Sequence, residues 1–200
     1  APIQWAIING EDSTGVTVIR MDEEMDTGPI LLQRAIPILP EDTGESLHDK
    51  LSELGAGLLM DTIALLKKGT LTPQPQEESL ATYAPMLKKE DGEIKWEGSA
   101  QAIHNHIRAM ASWPGAYTYI PIKQGGLKAL KVFSSSPLEE ASSLPPGSII
   151  NARGDGLKVS TARGSLLLTE VQLEGKSRML VNDFIKGFKL LPGIKLGGKP

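Results

Sequence analysis

The apolar positions near the amino-terminal end of the chain predict two strands that follow a short helix. Residues 15–21, GVTVIRM, are nearly continuous in apolar and β-branched side chains, as expected of a buried strand. Residues 29–38, PILLQRAIPI, form a second such run, in which Pro37 is tolerated only at a strand end or a sheet edge. Residues 20–29 therefore connect two strands, and this connection is longer than a tight hairpin turn requires. The segment before the first strand, residues 1–10, is expected to be a helix.

The next pattern is that of a long amphipathic helix. Its apolar face consists of Leu47, Leu51, Leu54, Leu58 and Leu65, widened by Ile63 and Leu66. Asp42 is expected to cap the amino-terminal end of this helix, with Glu45 as its capping-box partner three residues later. Lys67 and Lys68 suit the negative carboxyl-terminal end, and Gly69 can adopt the left-handed cap conformation. Two strands followed by a long helix predict the carboxyl-terminal end of an α/β domain.

After this helix the pattern changes. Residues 70–78, TLTPQPQEE, are rich in Pro and Gln and lack apolar periodicity, which indicates a linker. Ser99 can cap a short helix whose apolar face consists of Ile103, Ile107 and Met110. From Trp113 onward, short β-rich runs alternate with Gly/Pro turns, which predicts a small antiparallel β-barrel. Residues 179–191, MLVNDFIKGFKLL, predict a final helix.

Charge divides the chain into an acidic part and a basic part. Residues 1–90 carry 7 Lys and Arg against 15 Asp and Glu, whereas residues 91–200 carry 14 against 9. This asymmetry suggests two domains, of which the second can meet a polyanion. The chain has no cysteine, so it offers no disulfide, no thiolate metal ligand and no cysteine nucleophile. Its composition is typical of a soluble globular protein, and a reducing cytoplasm is the expected location.

The connection between the predicted strands, RMDEEMDTGP, contains the candidate chemistry. Asp26-Thr27-Gly28 has the letters of an acid-protease nucleus, but no second copy follows, and three more acids precede it at positions 22–24. A calcium loop of the EF-hand type needs alternating acids and a Glu at its twelfth position, which this stretch lacks. His104 and His106 lie two residues apart on a predicted helix, so they point to different faces and do not bind one metal ion together. No metal site is therefore predicted.

Taken together, several motifs of this chain resemble those of the folate-dependent formyltransferases, in the same order. In that family a helix and a Thr-Gly-Val-Thr strand lead into Met-Asp-x-x-x-Asp-Thr-Gly and a further strand, and these elements match residues 1–33 here. The later stretches that match are EDTGESLHDKLSELGAGLL, TYAPMLKKEDGEIKW, AIHNHIRAMASWPGAYTYI and PPGSIINARGDGLKV. The resemblance covers essentially the whole chain. It implies the end of a Rossmann-like catalytic domain (residues 1–70), a linker (71–90) and an OB-like barrel that binds tRNA (91–200).

The resemblance also implies residue roles. The catalytic Asp of the family matches Asp26, and the loop backbone at Met21, Asp22, Glu23 and Glu24 is expected to line the pterin site. The catalytic Asn and His of the family belong to a segment that precedes the matched residues. The chain is therefore expected to be a carboxyl-terminal fragment that is inactive by itself. The co-substrate would be 10-formyltetrahydrofolate, and no metal is required.

The members that the chain resembles most transfer the formyl group to initiator methionyl-tRNA in translation initiation. The expected contacts to tRNA phosphates are Lys88, Lys89, Lys176, Arg178, Lys186, Lys189 and Lys195. A monomer is expected. Three alternatives remain open at this point: a nucleotide-sugar N-formyltransferase, the formyl-folate hydrolase part of a dehydrogenase, and a non-catalytic RNA-binding module.

Overall fold

A β-hairpin between two helices makes up the first part of the protein. The computed structural model describes residues 1–122, 125–154 and 156–198. Helix α1 (Pro2–Asn9) is followed by strand β1 (Ser13–Ile19), strand β2 (Ile30–Pro37) and the long helix α2 (Gly44–Lys68). β1 and β2 pair antiparallel, from Ser13 opposite Pro37 to Ile19 opposite Ile30. The predicted helix, the two strands and the long helix are thus confirmed, and residues 20–29 connect the two strands.

The prediction that residues 15–21 form a buried strand is wrong about burial. Along β1 exposed positions alternate with half-buried ones, and the side chain of Met21, beyond the strand, is 87% exposed. Within the described residues this sheet has two strands, and α2 packs against it. A two-stranded sheet with a helix on one face leaves its other face open, so the side chains alternate between the two environments.

The start of α2 also differs from the prediction. Thr43, not Asp42, is the N-cap, and Thr43 and Ser46 form the reciprocal capping box, with Ser46 in place of Glu45. The carboxylate of Asp42 is instead buried and accepts hydrogen bonds from the Ser46 hydroxyl at 2.9 Å and the Lys50 ammonium at 2.6 Å. The carboxyl-terminal cap is as predicted, because Gly69 adopts the left-handed conformation with φ 67°.

The apolar face of α2 is narrower than predicted. Leu47, Leu51 and Leu58 are buried, whereas Leu54 and Leu65 are only half-buried. Ile63 and Leu66, which were expected to widen the face, are exposed.

The segment after α2 runs back along the first part of the protein. The backbone of Gln74 exchanges two hydrogen bonds with that of Ile30, at 2.7 and 2.9 Å. Further along, the carbonyl of Pro85 accepts a hydrogen bond from the indole Nε1–H of Trp5 at 2.9 Å. The amino group of Ala1 donates to the carbonyl of Ala84 at 3.0 Å. The stretch between Gln74 and Pro85 is therefore anchored to the first part of the protein at both of its ends.

A curled antiparallel sheet forms the second part. It contains six strands: β3 (Tyr117–Pro121), β4 (Leu127–Leu138), β5 (Ile149–Arg153), β6 (Gly156–Ser160), β7 (Ser165–Leu173) and β8 (Met179–Leu180). Their order is β3-β4-β7-β6-β5, with β8 paired to β7. Residues near the carboxyl end bond to both edges of the sheet. The N–H of Leu196 donates to the carbonyl of Gly147 near β5, and the N–H of Gly197 donates to the carbonyl of Tyr119 in β3.

Helix α3 (Ala100–Ala109) packs into the concave side of this sheet. Its N-cap is Ser99, as predicted, and the predicted apolar face of Ile103, Ile107 and Met110 is fully buried. The predicted final helix is α4 (Val181–Gly187), which is shorter than its amphipathic segment. α1 packs against α3, so the two parts share a boundary. No helix among the described residues has both the length and the apolar character needed to cross a membrane.

Candidate functional site

The acidic loop, residues 20–29, is a closed structure with a constrained backbone. Its base is fastened by the N–H of Arg20, which donates to the carbonyl of Pro29 at 3.0 Å. A side chain at Gly28 would place its Cβ 1.8 Å from the carbonyl oxygen of Arg20, so only glycine fits there. Asp26 has φ 60°, and no other described non-glycine residue has a positive φ. Such a conformation is sparsely populated by residues with a side chain and is common at functional sites.

The side chain of Asp22 organises the loop from within. Its Oδ1 accepts hydrogen bonds from the Thr27 hydroxyl at 2.8 Å and from the N–H of Glu24 at 3.3 Å. The bond from Thr27 joins the first aspartate of the loop to its last turn, and the bond from Glu24 closes a local turn. The structure therefore gives the Asp22 carboxylate a role in shaping the loop.

Sequence reasoning missed Gln76 as part of this loop. Its side-chain amide nitrogen donates to the carbonyl of Asp26 at 2.6 Å and to the carbonyl of Gly28 at 2.8 Å. Gln76 lies 50 residues from Asp26 in the Pro- and Gln-rich segment. No local pattern marks it, because the contact depends on how that segment folds back onto β2.

The top of the loop is open to solvent. Asp22, Glu23, Glu24 and Asp26 are all exposed, and the Met21 and Met25 side chains are each 87% exposed. Among the described residues, no hydrogen bond reaches the carboxylate of Asp26. The loop thus combines a free carboxylate, a fixed backbone and two exposed apolar side chains. This arrangement can accept a proton and can cover a flat apolar ring.

His104 and His106 are held apart by their neighbours, as their spacing predicts. The Nδ1 of His104 lies 3.1 Å from the Ser135 hydroxyl, and the Nε2 of His106 lies 2.6 Å from the carbonyl oxygen of Asp91. Burial lowers the pKa of both imidazoles below the ordinary value, although the contacts with Ser135 and Asp91 oppose the shift. Each imidazole is bonded to a different neighbour, so both residues are explained as structural side chains.

The structure brings together only some of the predicted basic residues. Lys176 and Lys189 are exposed at the rim of a groove of about 710 Å³, and Lys128 of β4 joins them there. The floor of this basic groove is apolar and includes Leu173 and Leu190. Sequence reasoning missed Lys128. The groove combines β4, the turn after β7 and the segment after α4, which are far apart in the chain.

Most of the other predicted basic residues have acidic neighbours. The guanidinium of Arg178 donates to both carboxylate oxygens of Glu170, at 2.8 and 2.6 Å, and these hydrogen bonds raise the pKa of Arg178. The same guanidinium lies over the Phe133 ring. Lys186 pairs with Asp183 at 2.7 Å. The remaining three are Lys195, which lines a cavity with Glu93 and Glu97, and Lys88 and Lys89, which are followed directly by Glu90 and Asp91.

Two formyltransferase family models match the chain. One, described as formyl transferase, matches residues 1–63, and the other, described as formyl transferase, C-terminal domain, matches residues 86–189. The methionyl-tRNA formyltransferase of Citrifermentans bemidjiense is 47% identical over 199 residues, which are 100% of this chain and 60% of that protein. The chain thus spans about 60% of the length of the curated relatives it matches.

Solved structures show the same fold. HypX from Aquifex aeolicus, in complex with tetrahydrofolic acid, matches with a TM-score of 0.65 at 23% identity, over 93% of this chain and 32% of HypX. The methionyl-tRNA formyltransferase from Clostridium thermocellum matches with a TM-score of 0.52 at 25% identity, over 68% of this chain and 56% of that protein. The two family models and the 47% identity over the whole of this chain show that the chain belongs to the formyl transferase family.

Proposed function

We propose that the protein acts in the transfer of a formyl group from 10-formyltetrahydrofolate to the α-amino group of initiator methionyl-tRNA. The observation that carries this proposal is the 47% identity, over the whole chain, to a relative named methionyl-tRNA formyltransferase. The loop supports it, because Asp26 stands exposed on a backbone that several hydrogen bonds hold in place. In this proposal Asp26 is the catalytic residue of the described chain.

The chemistry requires one proton acceptor beside the attacking amine. The amine nitrogen forms a bond to the formyl carbon, the bond from that carbon to N10 of the folate breaks, and N10 receives a proton. The amine loses a proton in the same sequence. In this proposal the Asp26 carboxylate accepts that proton, directly or through a water molecule, as a general base. The developing oxyanion would need hydrogen-bond donors, a role that the family's Asn and His would fill.

The loop fits a folate co-substrate. A pterin is flat and partly apolar and carries several donors and acceptors at its edge. Met21 and Met25 offer exposed thioether side chains that can contact its face. The backbone of residues 21–24 can bond to its edge, with Met21, Asp22, Glu23 and Glu24 as the contributors. When bound, the folate supplies the activated formyl group.

The proposal extends to the architecture. Residues 1–70 would form the carboxyl-terminal end of a Rossmann-like catalytic domain, and residues 71–90 a linker. Residues 91–200 would form an OB-like barrel. The bonds from Leu196 and Gly197 to the two edges of the curled sheet support such a closure. A monomer in the cytoplasm is the setting we propose.

For tRNA binding, we propose that the basic groove is the main phosphate contact. Lys176 and Lys189 project from its rim, while Lys128 adds a third positive charge. Arg178 and Lys186 would contribute less, because Glu170 and Asp183 offset their charge. Lys88, Lys89 and Lys195 would also contribute less, because they do not line the groove. Contacts of this kind supply affinity that falls steeply with salt concentration.

Replacing Lys176 and Lys189 together with Gln should weaken tRNA binding about tenfold or more at low salt. The slope of log Kd against log salt should fall by about two, since each phosphate-bound lysine contributes roughly one. Fluorescence anisotropy with labelled initiator tRNA, at several salt concentrations, measures both quantities.

The matched control replaces Lys67 and Lys68 with Gln. These lysines are exposed at the end of α2, so the net charge changes equally, away from the groove. We expect nearly unchanged binding by the control. Equal weakening by both double variants would contradict a specific groove, and no weakening by either would contradict the tRNA assignment of these lysines.

A further inference from the structure

Gln76 lies outside the acidic loop in sequence but forms part of it in space. Within the described residues, the loop backbone is closed at its base by the bond from Arg20 to Pro29. The segment that carries Gln76 is paired with the residue just after the loop. Gln74 bonds to Ile30 through the backbone at 2.7 and 2.9 Å, which positions Gln76 beside the last turn of the loop.

The two hydrogen bonds from Gln76 act on both sides of one turn. A primary amide nitrogen carries two hydrogens, so it can serve two acceptors at once. Here the acceptors are the carbonyl oxygens of Asp26 and Gly28, at 2.6 and 2.8 Å. The Asp26 carbonyl belongs to the peptide unit that joins Asp26 to Thr27, so its bond restricts ψ of Asp26, and the bond to Gly28 fixes the far side of the same turn.

The turn needs such a restraint. Asp26 has φ 60°, a conformation that a residue with a side chain adopts only when its surroundings favour it. The Asp22 carboxylate holds Glu24 and Thr27 from inside the loop but does not bond to Asp26. Among the described residues, Gln76 is the side chain that bonds directly to the Asp26 backbone.

We propose that Gln76 is a positioning residue that holds Asp26 in its left-handed conformation and thereby sets the direction of its carboxylate. The effect on turnover rests on the proposed formyl transfer, whereas the effect on the loop does not. Gln76 touches neither the amine nor the folate in this proposal; it acts through the peptide units of Asp26 and Gly28. General-base catalysis depends on the orientation of the base. If the Asp26 carboxylate is no longer held in this direction, the rate of proton transfer therefore falls.

The test compares Gln76→Met with Gln74→Met. Met has nearly the length of Gln but neither donates hydrogen bonds nor carries charge. The Gln74 side chain makes no hydrogen bond among the described residues, and its backbone bonds to Ile30 survive substitution, so Gln74→Met is the matched control. The first readout is the ¹⁵N order parameter of the Asp26, Thr27 and Gly28 amides in the 200-residue chain. We expect values typical of an ordered backbone in the parent and the control, and values below about 0.6 in Gln76→Met.

The second readout is formylation of methionyl-tRNA by the protein at its natural length. Gln76→Met should lower kcat about tenfold or more and leave KM for tRNA within twofold, while Gln74→Met should match the parent. Unchanged order parameters in Gln76→Met would overturn the proposal, and so would a mobile loop with unchanged kcat. If the parent transfers no formyl group at all, the proposed function fails, and the order parameters still decide whether Gln76 holds the loop.

Discussion

Replacing Asp26 with Asn should lower kcat for formyl transfer by about a hundredfold or more in the protein at its natural length. Asn has nearly the shape of Asp but cannot accept the proton that the attacking amine loses, and general-base catalysis typically contributes a factor of 10² to 10⁴. The Asp26 side chain is exposed and the loop is held through its backbone carbonyl, so the substitution should leave the loop in place. Steady-state kinetics with 10-formyltetrahydrofolate and methionyl-tRNA give kcat, and anisotropy gives the Kd for tRNA.

Asp12→Asn is the matched control for this prediction. Asp12 is exposed, lies outside the acidic loop, and loses the same charge in the same substitution. We expect kcat within about threefold of the parent for Asp12→Asn and a Kd for tRNA within twofold for both variants. A loss of tRNA affinity in Asp26→Asn as large as its loss of kcat would make Asp26 a binding residue and contradict its catalytic role.

Replacing Asp42 with Ala should lower the free energy of unfolding by about 2–3 kcal/mol at pH 7. The Asp42 side chain is only 2% exposed and accepts hydrogen bonds from Lys50, Ser46 and the N–H of Leu39. Its removal leaves the N–H of Leu39 without its acceptor and takes one partner from the Ser46 hydroxyl and from Lys50, whose side chain is partly open to solvent. The Arg108 guanidinium of α3 also donates hydrogen bonds to the backbone carbonyls of Leu39 and Asp42. Urea unfolding followed by circular dichroism measures the change.

The effect of Asp42 should depend on pH. Burial raises the pKa of its carboxyl, but the hydrogen bonds from Lys50, Leu39 and Ser46 outweigh burial and hold the pKa below the ordinary value of 3.8. A lowered pKa in the folded state stabilises the protein above pH 3.8, and this contribution is lost as the pH falls through the folded-state pKa. The difference between the parent and Asp42→Ala should therefore be smaller at pH 3 than at pH 7.

Glu45→Ala is the control for stability, since Glu45 is exposed in the first turn of α2. We expect it to cost less than about 0.5 kcal/mol, the usual range for a surface substitution. A cost at Glu45 equal to that at Asp42, or no dependence on pH at Asp42, would contradict the role given to the buried carboxylate.

The local sequence predicts that α2 is capped near residue 42 but not which residue is the cap. Asp42 and Thr43 are both good N-cap residues, and Glu45 and Ser46 can both complete a capping box. In the structure the Asp42 carboxylate is occupied by Lys50, Ser46 and the N–H of Leu39, and Thr43 is the cap. The existence of α2 and its glycine cap followed from periodicity, because those features depend on neighbouring residues alone.

The features proposed for function also separate into those that neighbouring residues predict and those that depend on the folded chain. The acidic loop was placed correctly between two strands because its flanking apolar runs are strong local signals. Gln76 and Lys128 were missed because their roles depend on segments that meet only after folding. Charge alone marks Arg178 and Lys186 in the sequence, but Glu170 and Asp183 beside them offset that charge in the structure. The burial of β1 was misjudged because an apolar run does not reveal which of its faces is covered.

A competition assay tests most directly whether the protein transfers the formyl group to methionyl-tRNA. The protein at its natural length is supplied with 10-formyltetrahydrofolate carrying a labelled formyl group, together with methionyl-tRNA and a nucleotide-linked amino sugar. The label is then traced by chromatography. We expect it on the α-amino group of the methionyl ester, with the rate reduced about a hundredfold in Asp26→Asn. Label on the amino sugar, label released as free formate, or no transfer to tRNA would contradict the proposed function.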